Sequence, residues 1–192
     1  MNKVLVTGFK PFLGEKINPS ELLCEKIENV EHLILPVEYQ KSFEVLSSVV
    51  KNAPPEFLIM LGQASGRANI CLEKIGLNWI QTRTADEAGF IPPVGMIDAK
   101  LPLAYLSTFP VDQIYYELKK KYPRLEISFS AGTFVCNQIY FKTLAEFPEV
   151  KSIFIHVPLL PEQLKQSDLR PSMSLQEMIL FLNDLVDRLR RN

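Results

Sequence analysis

The chain has 192 residues, 47% hydrophobic and 22% charged, with a net charge of −1. That length fits one domain over residues 1–192, the composition is globular, and the near-zero charge leaves no broad basic field for nucleic acid or anionic lipid. The first residues, MNKVLVTGFKPF, lack the apolar run of a signal peptide, and no stretch is long enough to span a bilayer, so the expected location is the cytoplasm.

Val4–Val6 reads as an apolar strand closing on Thr7-Gly8, and Phe9–Asn18, with Gly, Pro and aromatics, as a loop. Asn18-Pro19-Ser20-Glu21 opens a helix through Ile27, with Asn18 as cap, Pro19 at the first turn and Glu21 placed to reach back. His32–Val37 is a second strand, Ser42–Val50 has helical spacing, and Phe57–Leu61 is a third strand ending at Gly62. Ile70–Trp79 alternates and is predicted as one strand. Arg83–Pro110 has prolines, glycines and no period, which predicts a long loop with short pieces of structure, and loops of that length are usually functional or disordered. Val111–Tyr122 is an amphipathic helix, Leu125–Ser130 a strand, Asn137–Phe147 a helix and Ser152–Val157 an apolar strand. Ser174-Leu-Gln-Glu177 is a capping box for a last helix through Arg190. Alternating strands and helices, with several strands apolar on both faces, predict an α/β fold: a three-layer α/β/α sandwich around a mostly parallel sheet.

The three cysteines, Cys24, Cys71 and Cys136, show no metal spacing and cannot all pair with one another, and the only histidines are His32 and His156. Cys136 follows a strand and a small-residue turn at the start of a helix, where the helix dipole favours thiolate and where open α/β folds place ligands. Its structural alternative is a buried packing cysteine. His156 ends an apolar strand before Pro158, so its edge of the sheet is expected to face Cys136, and an imidazole there can take the thiol proton. Its alternative is a core histidine, and His32 reads as structural. Glu73 is a carboxylate in an otherwise apolar run and needs a partner, either the imidazole or a nearby Arg or Lys.

Four segments together resemble pyroglutamyl peptidase I, the pyrrolidone-carboxylate peptidases. They are Leu5-Val-Thr-Gly-Phe-Lys-Pro-Phe12 with Asn18-Pro-Ser20; Gly62-Gln-Ala-Ser-Gly-Arg67 with Ile70-Cys-Leu-Glu73 and Asn78; Ala131-Gly-Thr-Phe-Val-Cys136-Asn137; and Ile155-His-Val-Pro158 with Leu160-Pro-Glu-Gln163. The resemblance runs from Val4 to Gln163 with order and spacing kept. It implies a Cys136–His156–Glu73 triad, a pocket in which Phe9 and Phe12 contact a lactam ring with Gln63 nearby, and an arginine beside the site, matching Arg83. It implies hydrolysis of the amide bond after an N-terminal pyroglutamyl residue, through a thioester on Cys136; the apolar segment Leu101–Pro110 points to a homo-oligomer, which the resemblance makes a tetramer. A small uncharged ring suits aromatic walls and a few placed polar groups. The backbone N–H groups around Cys136, with Arg83 as a further candidate, are the expected oxyanion donors.

This sequence departs from the family pattern at Ala85-Asp-Glu-Ala-Gly89, where Pro-Asp-Asn-x-Gly is expected. That departure bears on substrate preference more than on reaction type. Two other readings stand beside this one: a cysteine amidase or thioesterase with a different substrate, and a catalytically silent binding protein on the same fold. No metal or organic cofactor is implied, since there is no HExxH, no Cys/His cluster and no phosphate-binding glycine loop.

Overall fold

The computed structural model describes residues 2–191. In chain order the elements are β1 (Val4–Phe9), α1 (Pro19–Lys26), β2 (Glu31–Leu35), α2 (Tyr39–Asn52), β3 (Phe57–Gln63), β4 (Ile70–Glu73), β5 (Ile75–Leu77), β6 (Ala104–Leu106), α3 (Val111–Leu118), β7 (Leu125–Ser128), α4 (Val135–Glu146), β8 (Lys151–Val157) and α5 (Leu175–Arg191). A six-stranded sheet has the order β2-β1-β3-β8-β4-β7. The first four of these run parallel, and β4 and β7 run parallel to each other but against β8. A two-stranded antiparallel ribbon, β5 with β6, lies outside it.

Successive residues of the central strands serve opposite cores. Val4 and Val6, Ile59 and Leu61, Ile153 and Ile155 pack with Leu23, Ile114, Phe181 and Leu185 of α1, α3 and α5. Leu5, Leu58, Met60 and Phe154 pack with Leu46, Ile139 and Leu144 of α2 and α4. The strands are apolar on both faces because helices cover both faces, which gives the three layers expected from the sequence.

Two local differences from the sequence reading have physical causes. β1 continues through Phe9, whose ring is buried, because β2 pairs it to its end, from Leu5↔Glu31 to Phe9↔Leu35. The stretch 70–79 is two strands. At Lys74 the N–H turns to Ser128 O (2.7 Å) and the C=O accepts from Ser107 N (2.9 Å), and the chain leaves the main sheet for the ribbon. All four β4 residues are buried, so the alternation carried no information about a solvent face. The long segment after Arg83 is a loop with short pieces of structure, as expected: it contains β6 and is bridged at Gly95 to Ile80. Asn78 holds it, donating to Asp98, Leu101 and Pro102 carbonyls and accepting from Asp98 N–H. At α1, Asn18 caps as expected, accepting from Ser20 N–H at 3.0 Å.

Candidate active site

The carboxyl ends of β3 and β8 lie in register, with Gly62 opposite His156. On the other side of β8, Cys71 pairs with His156 and Glu73 with Phe154. The strand partners therefore bring a carboxylate and an imidazole that are 83 residues apart to a hydrogen bond of 2.8 Å, His156 Nδ1 to Glu73 Oε1. Both side chains are buried, Glu73 fully. The Phe154 ring stacks obliquely on the imidazole, with centroids 4.8 Å apart. The Tyr140 hydroxyl of α4 donates to the Glu73 carbonyl at 2.8 Å, which fixes the backbone of the acid against the helix.

Cys136 is the second residue of α4 and approaches this cluster from the helix layer. Gly62 makes the approach possible. A Cβ there would stand 2.7 Å from the Phe154 ring and 3.1 Å from Cys136 Sγ, so only glycine leaves room for the sulfur over the end of β3. The route differs from the strand–turn–helix reading. β7, the strand before Cys136, runs against β8, so its own carboxyl end points away from the His156 edge. The segment 129–134 carries the chain back, pinned by Thr133, whose hydroxyl donates to Gln81 O (2.7 Å) and whose carbonyl accepts from Gln81 N–H. Asn137 then ties the helix start to the ribbon, accepting from Leu77 N–H and donating to the Leu77 and Trp79 carbonyls.

The thiol also differs from the thiolate expected at a helix start. Burial, with the Glu73 charge adding to it, pushes Cys136 up to about 12. Cys136 is half-buried as a residue, but dense surroundings of the thiol and a nearby carboxylate outweigh the helix dipole. Cys24 and Cys71 are buried thiols, raised to about 11 and about 12 by burial first. At neutral pH, Cys136 therefore needs a base to become a nucleophile.

Cys136 closes one end of a slot lined by Phe9, Phe12, Asn18, Val37, Gln63, Phe134 and Val135. Its cavity volume is about 20 Å³, room for about one water, so a ring can enter only if the walls part. Roomier hollows lie elsewhere. One of about 410 Å³, lined by Gln113, Glu117, Asp184 and Arg188, opens between α3 and α5 on the opposite face of the sheet from α4, among charged side chains. The slot is the candidate site because a thiol and convergent polar groups meet there.

Two residues of the motifs above with no role read from the sequence stand behind the lining, one beside Gln63 and one beside Glu73. Gln163 donates to Gln63 Oε1 at 2.9 Å and accepts from Leu160 N–H, which leaves the Gln63 amide nitrogen as a donor. Arg67 lies 3.1 Å from Glu73 Oε1, the same oxygen that His156 reaches. Both alternatives weighed for Glu73, imidazole and arginine, are thus present together. Arg83 is exposed and makes no ion pair or hydrogen bond among the described residues, although it lies two residues beyond Gln81 and so near the Thr133 anchor. His32 bonds Ile27 O (2.8 Å) at the outer strand of the sheet, away from this cluster. Among the described residues no group of His, Cys, Asp and Glu could hold a metal ion.

A family model described as pyroglutamyl peptidase matches residues 2–186. The chain belongs to the pyroglutamyl peptidase family. It is 41% identical over 193 residues to the pyrrolidone-carboxylate peptidase of Fusobacterium nucleatum, covering 93% of this chain and 88% of the relative. The pyrrolidone carboxyl peptidase structure from Fervidobacterium islandicum superposes with a TM-score of 0.91 at 31% identity, covering 100% of this chain and 99% of that one. The pyroglutamyl peptidase I from Bacillus amyloliquefaciens superposes at 0.87 with 34% identity, covering 94% and 91%. A pyroglutamyl-peptidase-type cysteine hydrolase is thus the reading the relatives support, and the other two readings are not favoured.

Proposed function

We infer that this protein hydrolyses the amide bond after an N-terminal pyroglutamyl residue, with Cys136 as nucleophile, His156 as base and then acid, and Glu73 as the group that orients the imidazole. The observation that carries the assignment of roles is the buried 2.8 Å bond from His156 Nδ1 to Glu73, directly opposite the glycine that leaves room for the Cys136 sulfur. With Nδ1 engaged by the carboxylate, Nε2 is the nitrogen left to accept the thiol proton.

The chemistry follows from the charges. Proton transfer from Cys136 to His156 converts a thiol held at about 12 into a nucleophile and places the new imidazolium against Glu73. The thiolate attacks the carbonyl carbon of pyroglutamate. Backbone N–H groups at the start of α4 receive the developing oxyanion. The C–N bond breaks as His156 returns its proton to the leaving amine, which leaves a thioester. Water, deprotonated by His156, then releases pyroglutamate and the free thiol.

The lactam fits the slot by chemistry. Phe9, Phe12, Val37 and Phe134 supply apolar walls, and the free amide nitrogen of Gln63 is a donor for the ring carbonyl. The guanidinium of Arg83 stands exposed for the substrate beyond the ring. Residues 1–192 act as one catalytic unit, since the three triad residues come from β4, α4 and β8 around one sheet. The three free thiols suit a reducing cytoplasm. Phe90, Ile91, Val94, Leu103 and Leu106, each more than half exposed, give an apolar surface that supports a homo-oligomer, and the family resemblance favours a tetramer; light scattering that found monomer alone would overturn this. The test of the function is hydrolysis of a pyroglutamyl amide reporter with and without reductant. Release that depends on reduced thiol is expected. No release by folded, reduced protein would refute the assignment.

A further inference from the structure

Glu73 has no solvent exposure, and an ionised carboxylate in such a place is strongly disfavoured unless a charge neutralises it. A neutral imidazole offers a hydrogen bond but no charge. The charge comes from Arg67. It leaves a turn after β3 in which Arg67 N–H bonds Ala64 O at 3.2 Å and Gly66 takes φ +91°, the third-position conformation that a type II turn requires. The guanidinium lies 3.1 Å from Glu73 Oε1 and also donates to Ser128 Oγ (3.0 Å) and Ser130 O (2.7 Å), where the segment leading to Cys136 begins. The other carboxylate oxygen, Oε2, is buried without a hydrogen-bond partner among the described residues, so the whole burden of holding the charge falls on Oε1.

We propose that Arg67 is a positioning residue: its permanent charge neutralises Glu73 in the resting enzyme and leaves the carboxylate free to aim His156 at the thiol. This rests on the catalytic reading above. The titratable and charged groups facing Glu73 are His156 from β8, Cys136 and Tyr140 from α4, and Arg67 from the β3–β4 connection. Cys71 on its own strand and Glu126 of β7 lie beside the same guanidinium. Arg67 is the one permanent cation in that set. Without it, the buried carboxylate can be neutralised only by a proton shared with His156, and an imidazole so engaged is a poor acceptor for the Cys136 proton. Arg67 also weakens the hold of Glu73 on the imidazolium, which helps His156 release its proton to the leaving amine.

The test is a double-mutant cycle read as kcat, KM and the acidic limb of the pH–rate profile, on wild type, Arg67→Met, Arg67→Lys, Glu73→Gln and Arg67→Met/Glu73→Gln. Arg67→Met is expected to lower kcat roughly a hundred-fold with KM almost unchanged, since the residue does not line the slot. Its acidic limb should move about one pH unit upward, the scale of losing a neighbouring opposite charge. Arg67→Lys, which keeps the cation, should bring the limb back to the wild-type position. In the Glu73→Gln background the Met substitution should cost less than about two-fold, because an amide needs no cation. An unmoved limb in Arg67→Met, or an equal loss in both backgrounds, would mean that Arg67 only braces Ser128–Ser130, and would overturn the proposal. If Arg67→Met does not accumulate as folded protein, the Lys variant and the double variant decide the matter, since neither leaves a buried charge unpaired. If wild type has no pyroglutamyl activity, the catalytic reading fails instead, and the same cycle read by iodoacetamide alkylation of Cys136 against pH still tests Arg67.

Discussion

Glu73, His156 and Arg67 stand on two strands and a tight turn, cross-bonded and largely buried, whereas Phe12 and Leu13 stand on a loop held in place from another loop. In the first region, adjoining strands and α4 fix each group from several directions. In the second, Glu87 links the two loops. Its carboxylate accepts from Leu13 N–H at 2.9 Å, next to Phe12, while its own N–H donates to Val37 O at 3.0 Å. Both bonds end at walls of the slot or beside them. Asp86 anchors that loop from within, accepting from Tyr39, Ala88 and Phe90 N–H. A candidate centre bonded on several sides beside a rim held by fewer bonds suits a division of labour between chemistry and substrate capture. Substitutions in the first region should therefore act on the chemical step, and those in the second on substrate capture.

Short of removing the nucleophile itself, the largest effect should come from the base. His156→Ala is expected to lower kcat by roughly three powers of ten or more, because both proton transfers are lost. The pH dependence sharpens this expectation. In wild type, iodoacetamide should alkylate Cys136 near neutral pH faster than Cys24 or Cys71, which are fully buried. In His156→Ala that reaction should require alkaline pH, since burial and Glu73 hold the thiol at about 12 and no base remains to draw the proton away. An alkylation profile unchanged by His156→Ala would detach the histidine from the thiol.

A smaller effect is expected from substrate chemistry. Proline lacks the ring carbonyl and would leave the Gln63 donor unsatisfied, at a cost of about 1–3 kcal/mol. Pyroglutamyl amides should exceed prolyl amides in kcat/KM by about two powers of ten. Equal rates would remove the lactam slot without touching the nucleophile. Smaller again is the rim. Glu87→Ala should raise KM by about three- to ten-fold with kcat nearly constant, by freeing the Phe12 wall. A fall in kcat of the same size with unchanged KM would erase the contrast between the two regions.

Much of the candidate site was legible in the sequence because each member broke a local pattern. Glu73 interrupts an apolar strand, His156 ends one before a proline, and Cys136 follows a small-residue turn. The layers were legible because strands apolar on both faces require cover on both faces. What escaped depended on contacts distant in sequence. The direction of β7 is set by pairing with β4, and nothing within Leu125–Ser128 records it. Lys74 breaks the 70–79 stretch because Ser128 and Ser107 take its backbone groups. Gln163 meets Gln63 across 100 residues, and Glu87 meets Leu13 across 74. The elevated thiol of Cys136 could not be read from a helix start alone, since Glu73 and the packing around the sulfur decide it.

The central claim is that Cys136 carries the acyl group. The direct measurement is mass spectrometry of peptides from enzyme acid-quenched during turnover of an activated pyroglutamyl ester. The account predicts a pyroglutamyl adduct on the peptide that holds Cys136, lost on hydroxylamine treatment as a thioester is, and no adduct or turnover in Cys136→Ala. An adduct on another residue, or undiminished turnover by Cys136→Ala, would contradict it.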